Sequence, residues 1–183
     1  MIVTFMGERK SGKDYFCDFL VREYGATRLS FSDEVRQLAV KIFPWMPFDF
    51  DPAVKDLPFV HEKNPNGLTP RQIWVDVVGK VRNVVPNYFV DAFEERNTVP
   101  LQQMHRTDRL YIITDFRTPQ ENDFLKKHKI PVIKIEREDR TGIAPDAFEE
   151  YVRQYTDYNT KFTNRMNGTN EFNLFFRDFL GLK

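Results

Sequence analysis

The chain has 183 residues, enough for one domain with a substantial core and room for a small inserted subdomain. Its 27 basic and 27 acidic residues cancel, which argues against sequence-wide binding to nucleic acid or an anionic membrane while leaving room for a local basic pocket. The single cysteine, Cys17, precludes an internal disulfide and fits a reducing cytoplasm, no apolar run approaches the roughly 20 residues of a membrane span, and the first residues lack the basic flank of a signal peptide.

In chain order, "MIVTFM" is an apolar run of strand length. "DYFCDFLVREY" places Phe16, Phe19 and Leu20 at helical spacing, and Gly25 supplies a stop. "ATRLSFS" alternates like a second strand, and "DEVRQLAVKIF" returns to a helical period. The stretch 44–70 is rich in Pro and aromatics and is expected to lack regular structure, which for a loop this long points to function or mobility. "TPRQIWVDVVGKVRNVV" starts a helix with Thr69 as N-cap and Pro70 in its first turn, and "PNYFVDAFEERNTV" reads as another helix. "RLYIITD" and "IPVIKIERE" are strands on either side of the helix "TPQENDFLKKHK", and "DAFEEYVRQYTDY" is a helix. "KFTNRMN" is a short strand and "TNEFNLFFRDFLG" a closing helix.

Strands alternating with helices predict an α/β fold with a parallel sheet covered on both faces. Five strands are expected near 1–6, 27–32, 109–114, 130–136 and 161–166, with 33–108 forming a helical insertion. Most of the 18 Phe should lie in the core. Trp74, with Trp45, Phe48 and Phe50, reads either as core or as a stacking surface for a base. His61, His105 and His128 have no metal-ligand spacing, and Cys17 reads as a small buried hydrophobe.

The segment Gly7-Glu8-Arg9-Lys10-Ser11-Gly12-Lys13 follows the first strand and opens the first helix. Glycines let such a loop curl so that its N–H groups converge on an anion, and the following helix adds its positive end. Gly7, Lys10, Ser11, Gly12 and Lys13 are therefore candidates to hold the phosphates of ATP, with Lys13 reaching the β and γ groups. Asp14 stands where such loops usually carry Ser or Thr; it reads as a Mg²⁺ ligand or as an acidic residue favoured in the first helical turn.

"GERKSGKD" resembles the loop of the bacteriophage deoxynucleoside monophosphate kinases, in which Asp at that last position is the norm, and more distantly that of the animal phosphomevalonate kinases. "FSDEVR", "TPRQIWVDVVGKVRNVVPNYFVDAF", "LYIITDFRTPQENDFL" and "FTNRMNGTNEF" resemble further segments of that family in the same order, although Glu34 replaces a family proline. The resemblance implies a P-loop NTPase-type kinase domain over 1–183 with a five-stranded parallel sheet, an acceptor-binding insertion at 33–108 and a lid near 137–150. It implies Mg²⁺ and ATP as cofactors and a deoxynucleoside 5′-monophosphate as acceptor. Partners are then small nucleotides, with neither nucleic acid nor membrane involved and a homodimer as one option, in the host-cell cytoplasm if the chain is phage-encoded. By that resemblance Asp115, ending an apolar strand, would be the metal-organising carboxylate alongside Asp14; on the residues alone it also reads as a helix N-cap. The resemblance would make Arg36, Arg71 and Arg117 acceptor-phosphate contacts, Arg137 and Arg140 lid arginines that close on the transferring group, and Asn167 and Gly168 the turn beside adenine; on the residues alone the arginines also read as ordinary surface residues. On the residues alone, the reading stops at a phosphotransferase for a small anionic acceptor. A different phosphorylated acceptor or a nucleotide-binding switch without turnover stays open.

Overall fold

The computed structural model describes residues 1–51, 53–103, 109–138 and 147–181. The chain divides into two compact units, Met1–Leu29 with Asn97–Lys183, and Ser30–Arg96.

The first unit is built on a sheet of five strands, β1 (Ile2–Met6), β2 (Thr27–Leu29), β3 (Tyr111–Ile113), β4 (Val132–Arg137) and β5 (Thr160–Asn164). Every pairing is parallel and the order is β2-β3-β1-β4-β5. Thr4 at the centre of β1 lies opposite both Ile113 and Val132, so β1 is the middle strand. All five of its residues are buried, as required of a strand covered on both faces. The chain reaches β2 and β3 on one side of β1 and β4 and β5 on the other, so β1 ends where an open α/β sheet leaves its ligand crevice.

Helix α1 (Lys13–Tyr24) runs between left-handed residues, Gly12 at φ 99° and Gly25 at φ 62°. It packs with α8 (Asn170–Phe179) over the sheet through aromatic rings. Phe16 stacks on Phe172 at 4.1 Å, and Phe5 meets Phe172 edge-on at 5.8 Å. The remaining helices of this unit are α5 (Thr98–Gln102), α6 (Pro119–Lys127) and α7 (Ala147–Gln154). Tyr155, just past α7, meets Phe116 edge-on at 5.2 Å and donates to Asn122 Oδ1 of α6 at 2.7 Å.

The second unit holds α2 (Ser32–Ile42), α3 (Pro70–Val84) and α4 (Tyr88–Arg96) around Val35, Ala39, Met46, Ile73, Val77 and Phe89. Thr69 caps α3 as expected, in a reciprocal capping box with Gln72. The helix expected over 86–99 is interrupted: Asn97 leaves helical geometry at φ −100°, ψ 24°, and a separate short α5 follows. Among the described residues, 44–69 lacks helix and strand but is internally organised. Buried Asn64 donates to the Phe59 and Leu68 carbonyls at 2.6 and 2.9 Å and accepts from Leu68 N at 3.1 Å. Trp45 stacks on His61 at 4.9 Å, and Phe50 meets Phe59 edge-on at 5.1 Å. These rings pack within their own unit, as the core reading expects; Phe48 is exposed.

β2 and β3 are shorter than expected, because their pairing runs only from Thr27 opposite Tyr111 to Leu29 opposite Ile113. No helix among the described residues is long and apolar enough to cross a membrane.

Candidate phosphate-binding site

The loop from Gly7 to Lys13 leaves β1 and enters α1 through two left-handed residues, Lys10 at φ 65° and Gly12 at φ 99°. Gly7 has a steric reason to be glycine: a Cβ there would fall 2.4 Å from Ser11 Oγ and 2.5 Å from the Ile135 carbonyl. At Gly12 a Cβ would meet Asn164 Nδ2 at 2.4 Å. Ser11 N donates to the Glu8 carbonyl at 3.1 Å, and buried Lys13 Nζ curls back to the same carbonyl at 3.5 Å. Burial pushes the Lys13 ammonium pKa down, and neighbouring Arg117 acts the same way, while Asp14, Glu149 and Asp115 oppose them. A cation desolvated in this way gains most from an anionic ligand. Lys10 is exposed.

Asp115 and Arg117 follow β3 directly and lie within electrostatic reach of Lys13. Arg117 is fixed at both ends. Its backbone N–H donates to Glu121 Oε2 at 2.7 Å, inside a capping box in which Thr118 and Glu121 start α6. Its guanidinium donates to Glu149 Oε1 of α7 at 2.7 Å. The other Glu149 oxygen accepts from the backbone N–H of Arg9, in the phosphate loop, at 2.8 Å.

Asp14 sits in the first turn of α1, and its carboxylate is ion-paired with Arg28 of β2. Arg28 Nε also donates to Thr114 Oγ1 at 3.0 Å, which binds the start of α1 to the ends of β2 and β3. Among the described residues, no group of three or more His, Cys, Asp or Glu forms a metal centre. Hard oxygen donors in pairs nonetheless suit Mg²⁺, which takes one or two carboxylates and completes its shell with phosphate and water. Asp14 and Asp115 both act electrostatically on Lys13.

At the far side of the loop, a cavity of about 440 Å³ is lined by Arg137, Glu138, Asn164, Arg165 and Met166. Arg137 ends β4 and Asn164 ends β5. Asn164, buried, donates to the Ser11 carbonyl at 2.9 Å and accepts from Met166 N at 2.9 Å. Asn167 and Gly168 lie beyond the residues lining this cavity, both exposed; Asn167 donates to Glu171 Oε1 at 2.8 Å, and Gly168 takes φ 96°. Asn164 in the preceding strand, rather than Asn167, touches the loop.

Arg36, Arg71 and Trp74 belong to the second unit. Arg36 lies over the Trp74 ring at 5.4 Å and donates to Asp33 Oδ1 at 2.7 Å. Arg71 is ion-paired with Asp56. The structure thus brings Arg36 and Trp74 together and engages Arg71 elsewhere. Arg140, His105 and most of the expected lid lie outside the described residues. The residues that sequence reasoning missed are Arg28, Glu121, Glu149 and Asn164. Of these, Glu121 alone had a local signal, the Thr-x-x-Glu capping spacing from Thr118.

No family model matches the chain, and no curated protein does. Among solved structures, TT1252 from Thermus thermophilus superposes with a TM-score of 0.50 at 14% identity, over 99% of this chain and 96% of that one. The likeness concerns the fold alone. Together with the strand order, it shows an α/β fold with a five-stranded parallel sheet flanked by helices, an arrangement consistent with the P-loop NTPase type.

Proposed function

We propose that this chain is an ATP-dependent phosphotransferase that moves the γ-phosphoryl of Mg-ATP to a deoxynucleoside 5′-monophosphate. The observation that carries the reading is the 7–14 loop. It combines left-handed Lys10 and Gly12 with a desolvated Lys13, and two carboxylates, Asp14 in the first turn of α1 and Asp115 just past β3, act on that lysine. The deoxynucleotide as acceptor rests on the family resemblance of the loop and the Asp115–Arg117 segment.

In this reading the loop amides and Lys13 hold the donor's β and γ phosphates. An acceptor phosphate oxygen, already ionised, supplies the electron pair for the new P–O bond. The bond from the γ-phosphorus to the β–γ bridging oxygen breaks, that oxygen keeps the pair, and ADP leaves with the nucleoside diphosphate as co-product. No general base is needed. The barrier is the approach of two anions, which fixed cations lower by following the charge through the transfer. Mg²⁺, held by Asp14 and Asp115, would screen the phosphate charge when bound. Arg117, with a planar fork of N–H donors, suits the acceptor phosphate. Arg137, on the cavity beside the loop, suits the donor nucleotide. Within residues 30–96, Arg36 and Trp74 suit an acceptor's phosphate and base.

The test is a coupled ADP-release assay with Mg-ATP against deoxynucleoside and ribonucleoside monophosphates and phosphomevalonate. ADP matched by a deoxynucleoside diphosphate is the expected result. Release with phosphomevalonate alone would move the acceptor. ATP binding without release on any acceptor would replace the kinase with a nucleotide-binding switch.

A further inference from the structure

In the sequence Glu149 falls inside the helix read over "DAFEEYVRQYTDY" and belongs to no motif. The structure places it elsewhere in the chemistry. Its carboxylate is buried, at 5% exposure, and its two oxygens are divided between two different parts of the site. One accepts from the Arg9 amide of the phosphate loop at 2.8 Å, the other from the Arg117 guanidinium at 2.7 Å. A second tie runs beside it from the same helix: Arg153 Nη2 meets Glu8 Oε2 at 3.1 Å. Helix α7 is therefore attached to two successive residues of the phosphate loop, Glu8 and Arg9.

We infer that Glu149 is a positioning residue, which sets the Arg117 guanidinium at a fixed place relative to the phosphate loop. The inference rests on the phosphotransferase reading above. An arginine on a loop has several rotatable bonds, and ordering it during the reaction would cost entropy at the worst moment. Here the ordering is already done. Glu121 holds the Arg117 backbone, and Glu149 holds the guanidinium and the loop with one rigid carboxylate. A guanidinium has five N–H donors, so one bond to Glu149 leaves the fork able to receive a phosphate. The pair is charge-assisted and largely desolvated, so it constrains the geometry strongly. Only a carboxylate can do this. An amide at 149 presents one acceptor oxygen and one NH₂, and that NH₂ would face either the Arg9 N–H or the Arg117 N–H, donor against donor.

The test is a double-mutant cycle of Glu149→Gln and Arg117→Ala, read in the same ADP-release assay, with the ATP dissociation constant of each form measured by calorimetry. Glu149→Gln alone should lower kcat/KM for the monophosphate by about tenfold or more, a misplaced-group effect, with ATP affinity nearly unchanged. In the Arg117→Ala background the same substitution should cost almost nothing, because the residue it positions is gone. A merely structural role would give equal losses in both backgrounds, and that result overturns the inference. Tighter ATP binding by Glu149→Gln also overturns it, since the carboxylate would then be competing with phosphate for the loop. Absence of turnover in the unsubstituted protein would overturn the kinase reading and this one together, whereas turnover with additive losses overturns this one alone.

Discussion

The side-chain amide of Asn164 donates to the backbone carbonyl of Ser11 at 2.9 Å, which ties the last residue of β5 to the middle of the phosphate loop. The same amide nitrogen lies where a side chain at position 12 would begin. The two residues therefore constrain each other. Gly12→Ala must displace Asn164 and also hold a Cβ at φ 99°, for an expected loss of about 1–3 kcal/mol of stability. Asn164→Ala should loosen the loop and weaken ATP binding by about tenfold, the equivalent of one hydrogen bond. Because Asn164→Ala removes the clash partner, the double variant should be less destabilised than the sum of the two. Chemical denaturation of the four proteins measures this, and simple additivity would show that the contact is not shared.

Lys13 is a cation held in a site that disfavours cations until an anion arrives. Lys13→Met keeps the aliphatic stem and removes the charge. Turnover should fall by about a thousandfold or more, as expected for a charge at the transferring group. The melting temperature of the nucleotide-free protein should hold or rise. A variant that keeps its activity would remove the loop from the mechanism.

The pairing of Asp14 with Arg28 makes the acidic loop end part of a network. Asp14→Ser restores the hydroxyl usual at that position but leaves Arg28 facing no Asp14 carboxylate. The Mg²⁺ concentration for half-maximal activity should rise by about tenfold, in line with the loss of a hard ligand. Arg28→Ala should shift the same titration the other way, since it frees the carboxylate. Identical Mg²⁺ curves for all three proteins would exclude Asp14 from the metal.

Cys17 lies fully buried on α1, and burial raises its thiol pKa from 9.0 to about 11 against the opposing pull of Arg28. Between those values the folded chain holds the proton and the unfolded chain has lost it. Stability therefore falls as pH rises through this window, by about 2–3 kcal/mol in total. Cys17→Ala should lower stability at neutral pH through the cavity it leaves, but should flatten the decline between pH 9 and 11. Denaturant midpoints across that range, compared between the two proteins, give the slope. An unchanged slope would assign the alkaline loss to other groups.

How much of this was legible in the sequence depended on the range of the interaction. β1, the loop and α1 carry local signals, namely an apolar run, two glycines, helical spacing and a terminating Gly25, and the structure has them in place. The capping box at Thr69 was equally local. Glu149 was not legible, because its partner Arg9 lies 140 positions away and meets it only through the order of the sheet. Asn164 was hidden likewise, because its bond to Ser11 spans 153 positions. The Pro-rich 44–70 stretch carried no periodic signal, since its order comes from individual contacts rather than a repeating pattern, among them the buried Asn64 amide bonding to three backbone groups and the Trp45–His61 and Phe50–Phe59 ring pairs.

Both tryptophans of the chain, Trp45 and Trp74, fall in residues 30–96, one stacked on His61 and the other beneath Arg36. Indole emission excited at the red edge therefore reports on that unit alone, with no contribution from the sheet or the phosphate loop. The molecule carries an optical probe on one half and is dark on the other. A ligand that engages Arg36 or Trp74 should change the emission spectrum, so binding to that unit can be followed without any attached label.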